Sequence, residues 1–235
     1  MRMDMTTELA LASGGVLRLS APLAKLGAEP IVLGLGGSVA RPSAPRWSAS
    51  ITWLLGRLAR EVPRLAYAEL RYHDRSWRAI AECLRDAREA LAVLPCAPQV
   101  VPIGFSMGGG IAIAIADDRR VSGAIGLAPW VPEQIPLGQL RGKRLDLIHG
   151  SRDRALPFLP GVPPEHSRRL LGRASAAGAL ASLTMIEGAI HAIAVSTPFG
   201  HVPLPHARAW SVAVAARLKS LTGDARASEP EHRPV

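Results

Sequence analysis

One serine of this chain lies at a glycine-bounded junction between a strand pattern and a helix pattern. The G-x-S-x-G run at 104–108 has Ser106 at its centre, follows an apolar stretch at 99–105 and leads into a helical run of small residues. Glycine on both sides lets a strand turn abruptly into a helix, and this turn leaves the serine hydroxyl exposed above the helix N-terminus. The pattern is typical of a nucleophile; the alternative interpretation is a glycine-rich turn that happens to contain serine.

A serine hydroxyl needs a general base to accept its proton and a third group to orient that base. Asp153 follows the apolar run at 144–149, and His191 follows the run at 180–187. Because ligand-binding groups gather at the carboxyl ends of parallel strands, both side chains are expected near the serine. We therefore predict Ser106 as the nucleophile, His191 as the base and Asp153 as the orienting acid.

Asp153 and His191 each have a simpler interpretation. Asp153 is also explained as a turn aspartate paired with Arg152 or Arg154, and His191 as a surface histidine. Asp146 is excluded as the acid because it alternates within its strand and does not project from the sheet edge. The equivalent edge positions of Asp153 and His191 favour the catalytic interpretation.

These side chains need a sheet to bring them together. Residues 7–12 and 16–20 alternate apolar and polar residues around a Ser-Gly-Gly turn, which predicts an antiparallel β-hairpin. Further strands are predicted at 30–35, 65–71, 99–105, 121–128, 144–149 and 180–187, and helices at 47–61, 76–94, 107–117, 163–177 and 205–220. Strands that alternate with helices predict an α/β fold with a mainly parallel, doubly wound sheet and helices on both faces.

The length and composition fit one globular domain. A chain of 235 residues with 48% hydrophobic and 20% charged residues can bury a full core. Residues 1–222 are expected to form a single α/β domain, and the polar stretch 223–235 is expected to be a flexible C-terminal tail. The segment from Pro129 to Gly142 is too short to form a lid domain, so none is expected.

The charge pattern and the cysteines bear on partners and location. The net charge is +9 and only three of the 28 basic residues are lysine, but the arginines are scattered among acids, which argues against a nucleic-acid interface. No apolar run is long enough to cross a bilayer and no secretory signal pattern is present, which predicts a cytoplasmic protein. Cys83 and Cys96 lack disulfide-framework or zinc spacing, and neither a metal nor a cofactor is expected.

Three short motifs together resemble those of the α/β-hydrolase superfamily over residues 7–222. The run from Gly104 to Gly109 looks like its nucleophile elbow, the run 149–153 like its acid loop and the run 188–191 like its histidine loop. The order Ser, Asp, His along the chain also matches that superfamily. The compact, lidless layout is similar to the dienelactone-hydrolase-like and carboxylesterase branches, with serine as the nucleophile here.

The loop after the strand at 30–35 extends this resemblance. An oxyanion hole needs two backbone N–H groups aimed at the developing negative charge. One donor is expected to be Met107, directly after the nucleophile. The Leu-Gly-Leu-Gly-Gly-Ser run at 33–38 resembles the family's His-Gly-x-Gly-Gly-Ser loop, which by position implies that the N–H of Leu35 is the other. A dinucleotide-binding loop is the competing interpretation, and it fails because Val39 stands where the third glycine is needed.

Three positions depart from the family pattern. Leu33 stands where many members have histidine, so the support of the oxyanion loop must differ. Phe105 replaces a frequent histidine beside the nucleophile and changes the pocket wall. Pro102 lies inside a predicted central strand, where its missing N–H removes a ladder hydrogen bond and a bulge is one accommodation.

A possible substrate pocket is predicted from residues near the carboxyl edge of the sheet. The candidates Trp47, Tyr72, Phe105 and Trp130 all follow or end predicted strands or the oxyanion loop, and packing is an equal alternative for each. Arginines near the same edge would favour a substrate with a carboxylate or phosphate, and surface charge is the alternative. These arginines are Arg71, Arg152 and Arg154.

The resulting expectation is a cytoplasmic serine esterase that acts on a small-molecule ester through an acyl-enzyme. The same three residues would also serve a thioester, a lactone or a C–C bond as substrate. A protein that keeps the fold and binds without catalysis is the rival of another class. Oligomeric state is left open.

Overall fold

The structure is a computed structural model that describes residues 7–21, 23, 26, 29–38, 46–94, 98–154 and 161–227. The strands are β1 (Thr7–Ala10), β2 (Val16–Leu19), β3 (Ile31–Leu35), β4 (Ala66–Arg71), β5 (Val100–Phe105), β6 (Gly123–Leu127), β7 (Arg144–Gly150), β8 (Leu180–Ile186), β9 (Ala194–Thr197) and β10 (Gly200–Pro203). The α-helices are α1 (Ala49–Glu61), α2 (Ile80–Val93), α3 (Met107–Ala114), α4 (Pro164–Ala176) and α5 (Ala207–Ala227).

Eight strands form one twisted layer in the order β1-β2-β4-β3-β5-β6-β7-β8. The pairs β1–β2 and β2–β4 are antiparallel, and every pair from β4 to β8 is parallel. Two hydrophobic clusters cover the sheet, one with α2, α3 and α4 on one face and one with α1 and α5 on the other. The predicted α/β class, the N-terminal hairpin and the absence of a lid domain from the described residues are confirmed.

The helix ends show where local pattern and structure differ. Helix α3 stops at Ala114, three residues before its predicted end, and α2 is preceded by one 3₁₀ turn at Trp77–Ala79. Helix α5 runs on to Ala227 and so includes 223–227, which the sequence assigned to a flexible tail. Residues 228–235 lie outside the described part of the chain.

A second hairpin, β9–β10, was not predicted from the sequence. Its two strands have four residues each, and Pro203 ends the second one. Strands this short carry little periodicity, and proline argues against strand structure in a sequence pattern. The hairpin directly follows the loop that carries His191 in the chain, and it packs on α1.

Pro102 is accommodated by a change of register between β5 and β6. Val100 is bridged to Val121, whereas Ile103 pairs with Ile125, so two residues of β5 lie opposite three residues of its neighbour. The N–H of Val100 donates towards β6. N–H groups of alternate residues in a strand point to the same side, so an N–H at position 102 would also point towards β6. The residue that lacks this N–H, Pro102, therefore lies at the irregularity. The bulge considered for Pro102 is therefore observed.

The chain around Ser106 depends on very close packing of glycine. A Cβ atom placed on Gly104 would lie 2.0 Å from the carbonyl oxygen of Gly108. One placed on Gly108 would lie 2.3 Å from the carbonyl oxygen of Leu35 and 2.6 Å from that of Gly36. Since these neighbours are backbone atoms, they cannot move aside as a flexible side chain would.

We expect the Gly108→Ala substitution to destabilise the protein by about 3 kcal/mol, because the new methyl group overpacks against backbone. For a chain of this size that corresponds to a fall in Tm of about 10 °C in a thermal unfolding scan. Gly172→Ala is the matched control, since Gly172 is an exposed residue of α4 and a methyl group added there would have no atom within 4 Å. It should leave Tm unchanged or raise it, and equal effects of the two substitutions would contradict the packing argument.

Candidate active site

Ser106 occupies a strained corner between β5 and α3. Its backbone angles are φ 54° and ψ −120°, a region that residues with a side chain rarely adopt. The surrounding backbone fixes this conformation: the N–H of Ser106 donates to Leu127 O at 2.9 Å, and its carbonyl oxygen accepts from Gly109 N and Trp130 N, each at 2.9 Å. Several hydrogen bonds therefore hold the corner that exposes the hydroxyl to its neighbours.

The structure brings Ser106, His191 and Asp153 into one line of hydrogen bonds. His191 Nε2 lies 3.1 Å from Ser106 Oγ, and His191 Nδ1 lies 2.6 Å from Asp153 Oδ2. An ionised carboxylate only accepts hydrogen bonds, so Nδ1 carries the proton and Nε2 presents its lone pair to the serine hydroxyl. This geometry is suited to removal of the hydroxyl proton by His191.

Asp153 is held in the ionised form by its contacts. Its side chain is buried, and its Oδ1 atom accepts the N–H of Val162 at 3.0 Å. Burial by itself would raise the pKa of Asp153, but hydrogen bonds and charge interactions with His149 and His191 outweigh it and leave the pKa below its ordinary value. The carboxylate is thus available as an acceptor for the proton on His191 Nδ1.

His149 is a second histidine on the same carboxylate. Its Nε2 atom lies 3.2 Å from Asp153 Oδ2 and 2.8 Å from the carbonyl oxygen of Val162, and its Nδ1 atom lies 2.6 Å from Ser167 Oγ. A carbonyl only accepts, so Nε2 carries a proton, and in the neutral ring Nδ1 then accepts a hydrogen bond from the Ser167 hydroxyl group. His149 is fully buried and joins Asp153, the segment at Val162 and α4.

Hydrogen bonds tie the Asp153 loop to the His191 loop. The N–H of Arg152 donates to Ala189 O at 2.9 Å, and the N–H of Gly188 donates to Ser151 Oγ at 2.8 Å. A Cβ atom on Gly150 would lie 2.4 Å from the Ala189 carbonyl oxygen, so glycine is needed for this approach. The acid and the histidine are therefore positioned relative to each other by backbone.

Ser50 of α1 fixes the chain on the other side of His191. Its buried hydroxyl oxygen lies 3.1 Å from Ile193 N and 3.3 Å from Ala194 N. Both amides donate to this oxygen, which connects the start of β9 to the first turn of α1. The histidine loop is thus anchored at both ends.

The predicted oxyanion loop lies close to Ser106. A Cβ atom on Gly37 would lie 3.0 Å from Ser106 Cβ. Leu35 is the last residue of β3 and is paired with Gly104 of β5. The N–H of Ile31, four residues earlier in β3, donates towards β5. Since alternate N–H groups of a strand point the same way, the N–H of Leu35 belongs to the β3–β5 ladder. The register therefore favours the amides that follow, at 36–37, over that of Leu35 as oxyanion donor.

Met107 is the first residue of α3 and is fully buried. The first N–H groups of a helix have no partner within it and point towards its N-terminal end. Ser106 immediately precedes this end, so the N–H of Met107 is suited to a negative charge that develops beside the nucleophile.

The structure separates the four predicted pocket residues. Phe105 packs against His191, with 5.0 Å between the two ring centroids, and the backbone of Trp130 contacts Ser106 through its N–H. Tyr72 is only 1% exposed and lies in the cluster beneath α2 and α3, which agrees with the packing alternative for this residue. The guanidinium carbon of Arg18 lies 3.9 Å from the centroid of the Trp47 ring. This stacking is a packing contact beside the N-terminal hairpin.

The three arginines at this edge differ in their surroundings. Arg71 lies near the Trp47 ring, with its guanidinium carbon 5.4 Å from the centroid. Arg152 and Arg154 flank the buried Asp153 and are exposed. No ion pair of Arg152 or Arg154 with Asp153 is seen among the described residues, so the turn-pairing alternative for Asp153 finds no support.

Sequence reasoning missed the residues that support the three central side chains. They are His149, Ser50, Val162 and Arg75, whose guanidinium group donates to the oxyanion loop. His149 was within reach of a sequence argument, because it lies in the same motif as Asp153 at a strand end. The others act through contacts with backbone groups, which every residue has, so the sequence carries no local signal for them.

Metal ligands and membrane-spanning helices are both absent from the residues that the structure describes. No cluster of three or more His, Cys, Asp or Glu side chains is arranged to hold a metal ion in this part of the chain. None of its described helices combines the length and apolar character needed to cross a membrane.

Comparisons with known proteins identify the fold. No protein-family model matches the chain, and no curated protein matches it. Among solved structures, the dienelactone hydrolase-like promiscuous phosphotriesterase P91 from metagenomic libraries is 16% identical, with a TM-score of 0.63 over 92% of this chain and 97% of that one. Est1E from Butyrivibrio proteoclasticus is also 16% identical, with a TM-score of 0.63 over 95% and 98% of the two chains.

A thermophilic esterase from Thermogutta terrifontis, Est2, is likewise 16% identical, with a TM-score of 0.64 over 94% of this chain and 93% of that one. These structures cover nearly the whole of both chains in each case. At this identity the likeness concerns the fold, and the predicted resemblance to the α/β hydrolases is confirmed at that level.

Asp153→Asn tests the electrostatics of the site by its effect on stability. The pKa of Asp153 is lowered from 3.8 in the folded protein, so the ionised group stabilises the fold above pH 3.8 and this contribution is lost as the pH falls through the folded value. In urea unfolding, the stability difference between wild type and variant should be largest near neutral pH and shrink below pH 3.8.

Asp117→Asn is the control for this experiment, since Asp117 is a half-exposed carboxylate paired with Arg88 at the surface. Exposed ion pairs contribute little, so this variant should resemble the wild type throughout. A pH-independent stability difference for Asp153→Asn would contradict the assignment of an ionised, hydrogen-bonded Asp153.

Proposed function

We propose that the protein is a serine hydrolase in which Ser106 is the nucleophile, His191 the general base and Asp153 the group that orients the base. The observation that carries this proposal is the Ser–His–Asp line of hydrogen bonds, 3.1 Å and 2.6 Å long, which starts at a serine on a strained strand-to-helix corner. A serine that serves only packing has no need of this conformation. The strain is consistent with a functional site.

The chemistry is acyl transfer in two steps. In the first, His191 Nε2 takes the hydroxyl proton as Ser106 Oγ bonds to the substrate carbonyl carbon, and the proton then passes to the leaving alkoxide as the ester bond breaks. In the second, His191 accepts a proton from water, whose oxygen attacks the acyl-enzyme, and the proton returns to Ser106 as the acid leaves. Asp153 keeps the proton of the imidazole on Nδ1 in the resting state.

The oxyanion of each tetrahedral intermediate needs two backbone donors. We assign these to the N–H of Met107 and to the glycine pair Gly36–Gly37. Support comes from the position of Met107 at the start of α3 and from the approach of Gly37 to Ser106. Removal of one donor of this kind typically costs about 10²–10³-fold in kcat.

A carboxylic ester of a small molecule is the substrate class that we favour. Two of the structural neighbours are named as esterases or carry an Est name, and Ser106 and His191 are 5% and 8% exposed, which suits a compact acyl group. The same relay serves a thioester, a lactone or a C–C bond, so a panel of acyl donors with matched acyl length decides among these. A kcat/KM that is higher for a thioester or a lactone than for the open-chain oxygen ester would overturn the assignment of an open-chain carboxylic ester as the substrate.

Covalent labelling tests the nucleophile directly. We expect intact-protein mass spectrometry to show one fluorophosphonate adduct on the wild type, mapped to Ser106, and no adduct on Ser106→Ala or His191→Ala. Ser196→Ala is the matched control, because Ser196 is an exposed serine on β9 and its loss should leave labelling unchanged. Absence of an adduct on folded wild type would favour a binding protein that retains the fold.

Turnover provides an independent measurement. With p-nitrophenyl esters of short acyl chains, Ser106→Ala and His191→Ala should each lower kcat by about 10⁴-fold or more, because the relay acts as a unit. The double variant should lose little beyond either single variant. Additive losses would contradict a shared step.

A further inference from the structure

Arg75 joins two backbone carbonyl groups beside the candidate site. Its Nε and Nη2 atoms donate to the carbonyl oxygen of Gly37 at 3.0 Å and 2.8 Å, and its Nη1 atom donates to Arg46 O at 2.9 Å. All three guanidinium nitrogens therefore contact the main chain. One end of this bridge is the oxyanion loop, and the other lies just before α1.

The guanidinium group is placed at some energetic cost. Arg75 is half-buried, and this burial lowers the pKa of its guanidinium group; a cation withdrawn from water needs acceptors for its N–H groups. The fork of donors on one planar group is the feature that arginine offers and lysine does not. In this structure the fork of donors binds a peptide carbonyl oxygen of the oxyanion loop, and not a carboxylate.

The glycines of the oxyanion loop supply no side chain with which to hold its shape. Gly36 and Gly37 have no side chains, and glycine has more backbone freedom to lose than any other residue. Leu33 contributes no polar atom to brace them. Because Gly37 approaches Ser106 Cβ closely, a rotation of its peptide groups would move the amides that face the nucleophile.

We propose that Arg75 is a positioning residue that pre-organises the oxyanion loop by clamping the carbonyl group of Gly37. The inference rests on the proposed serine-hydrolase function and adds a residue that acts through the backbone, without contact to the substrate. Electrostatic stabilisation of an oxyanion depends on donors that are already in place when the charge develops. Loss of the clamp should therefore affect the transition state more than the bound substrate.

The test compares Arg75→Ala and Arg75→Lys with the wild type in ester hydrolysis. Arg75→Ala should lower kcat by about 10²-fold with KM within a few-fold, because the donors are loosened rather than removed. Arg75→Lys, which keeps the charge but not the fork, should fall between the two. Arg78→Ala is the matched control, since Arg78 is exposed three residues away and should leave both constants unchanged.

Two further readouts separate positioning from general support of the fold. The affinity for a trifluoromethyl ketone, which forms a tetrahedral oxyanion on the serine, should fall in proportion to kcat/KM. Millimolar guanidinium chloride should restore part of the activity of Arg75→Ala but not of Ser106→Ala. If Arg75→Ala does not fold, Arg75→Lys is measured by the same kcat, KM and ketone readouts.

Wild-type kinetics in Arg75→Ala would overturn the inference. So would parallel losses of kcat, ketone affinity and Tm in both variants without rescue by guanidinium, since these indicate only a structural role. Failure of the proposed function is distinguishable, because it would appear as the absence of a fluorophosphonate adduct on the wild type. An adduct on the wild type together with unchanged Arg75 variants would retain the hydrolase and reject the clamp.

Discussion

The contact of Gly108 with the carbonyl oxygens of Leu35 and Gly36 sets the spacing of the candidate site. Helix α3 approaches the end of β3 so closely that a methyl group would lie 2.3 Å from one oxygen and 2.6 Å from the other. This approach brings the start of the helix, the corner at Ser106 and the oxyanion loop into one small volume. The strained backbone angles of Ser106 follow from the same constraint, since the chain must leave β5 and enter α3 within a single residue.

A second constraint is the need to satisfy every polar atom of a buried acid. Asp153 accepts from Val162, His149 and His191, so its carboxylate is fully engaged although it is buried. Satisfied networks of this kind are rigid, because any rotation leaves a buried group without a partner. The acid consequently fixes the tautomer and the orientation of His191, and the paired loops at 150–152 and 186–189 carry that order into the backbone.

The parts of the site that sequence reasoning reached are those with a local signature. Apolar runs with turn residues located the strands, and strand ends located Asp153 and His191, because parallel strands bring their carboxyl ends together. A strand end does not tell which way a side chain turns, and the side chain of Tyr72 turns into the core. Arg75 was missed because its partners are carbonyl groups, which every residue has, and only the fold brings Gly37 and Arg46 to it.

The two halves of the candidate site differ in the stage of the reaction at which their hydrogen bonds form. The hydrogen bonds among Ser106, His191 and Asp153 exist before any substrate binds, so they would prepare Ser106 for the proposed attack. In the proposed mechanism, the amides at the start of α3 and in the glycine loop gain a charged partner only when the oxyanion forms. Interactions that strengthen only in the transition state are the ones that accelerate a reaction. In the proposed mechanism, the glycine loop and its support therefore bear on the rate as directly as the Ser–His–Asp relay does.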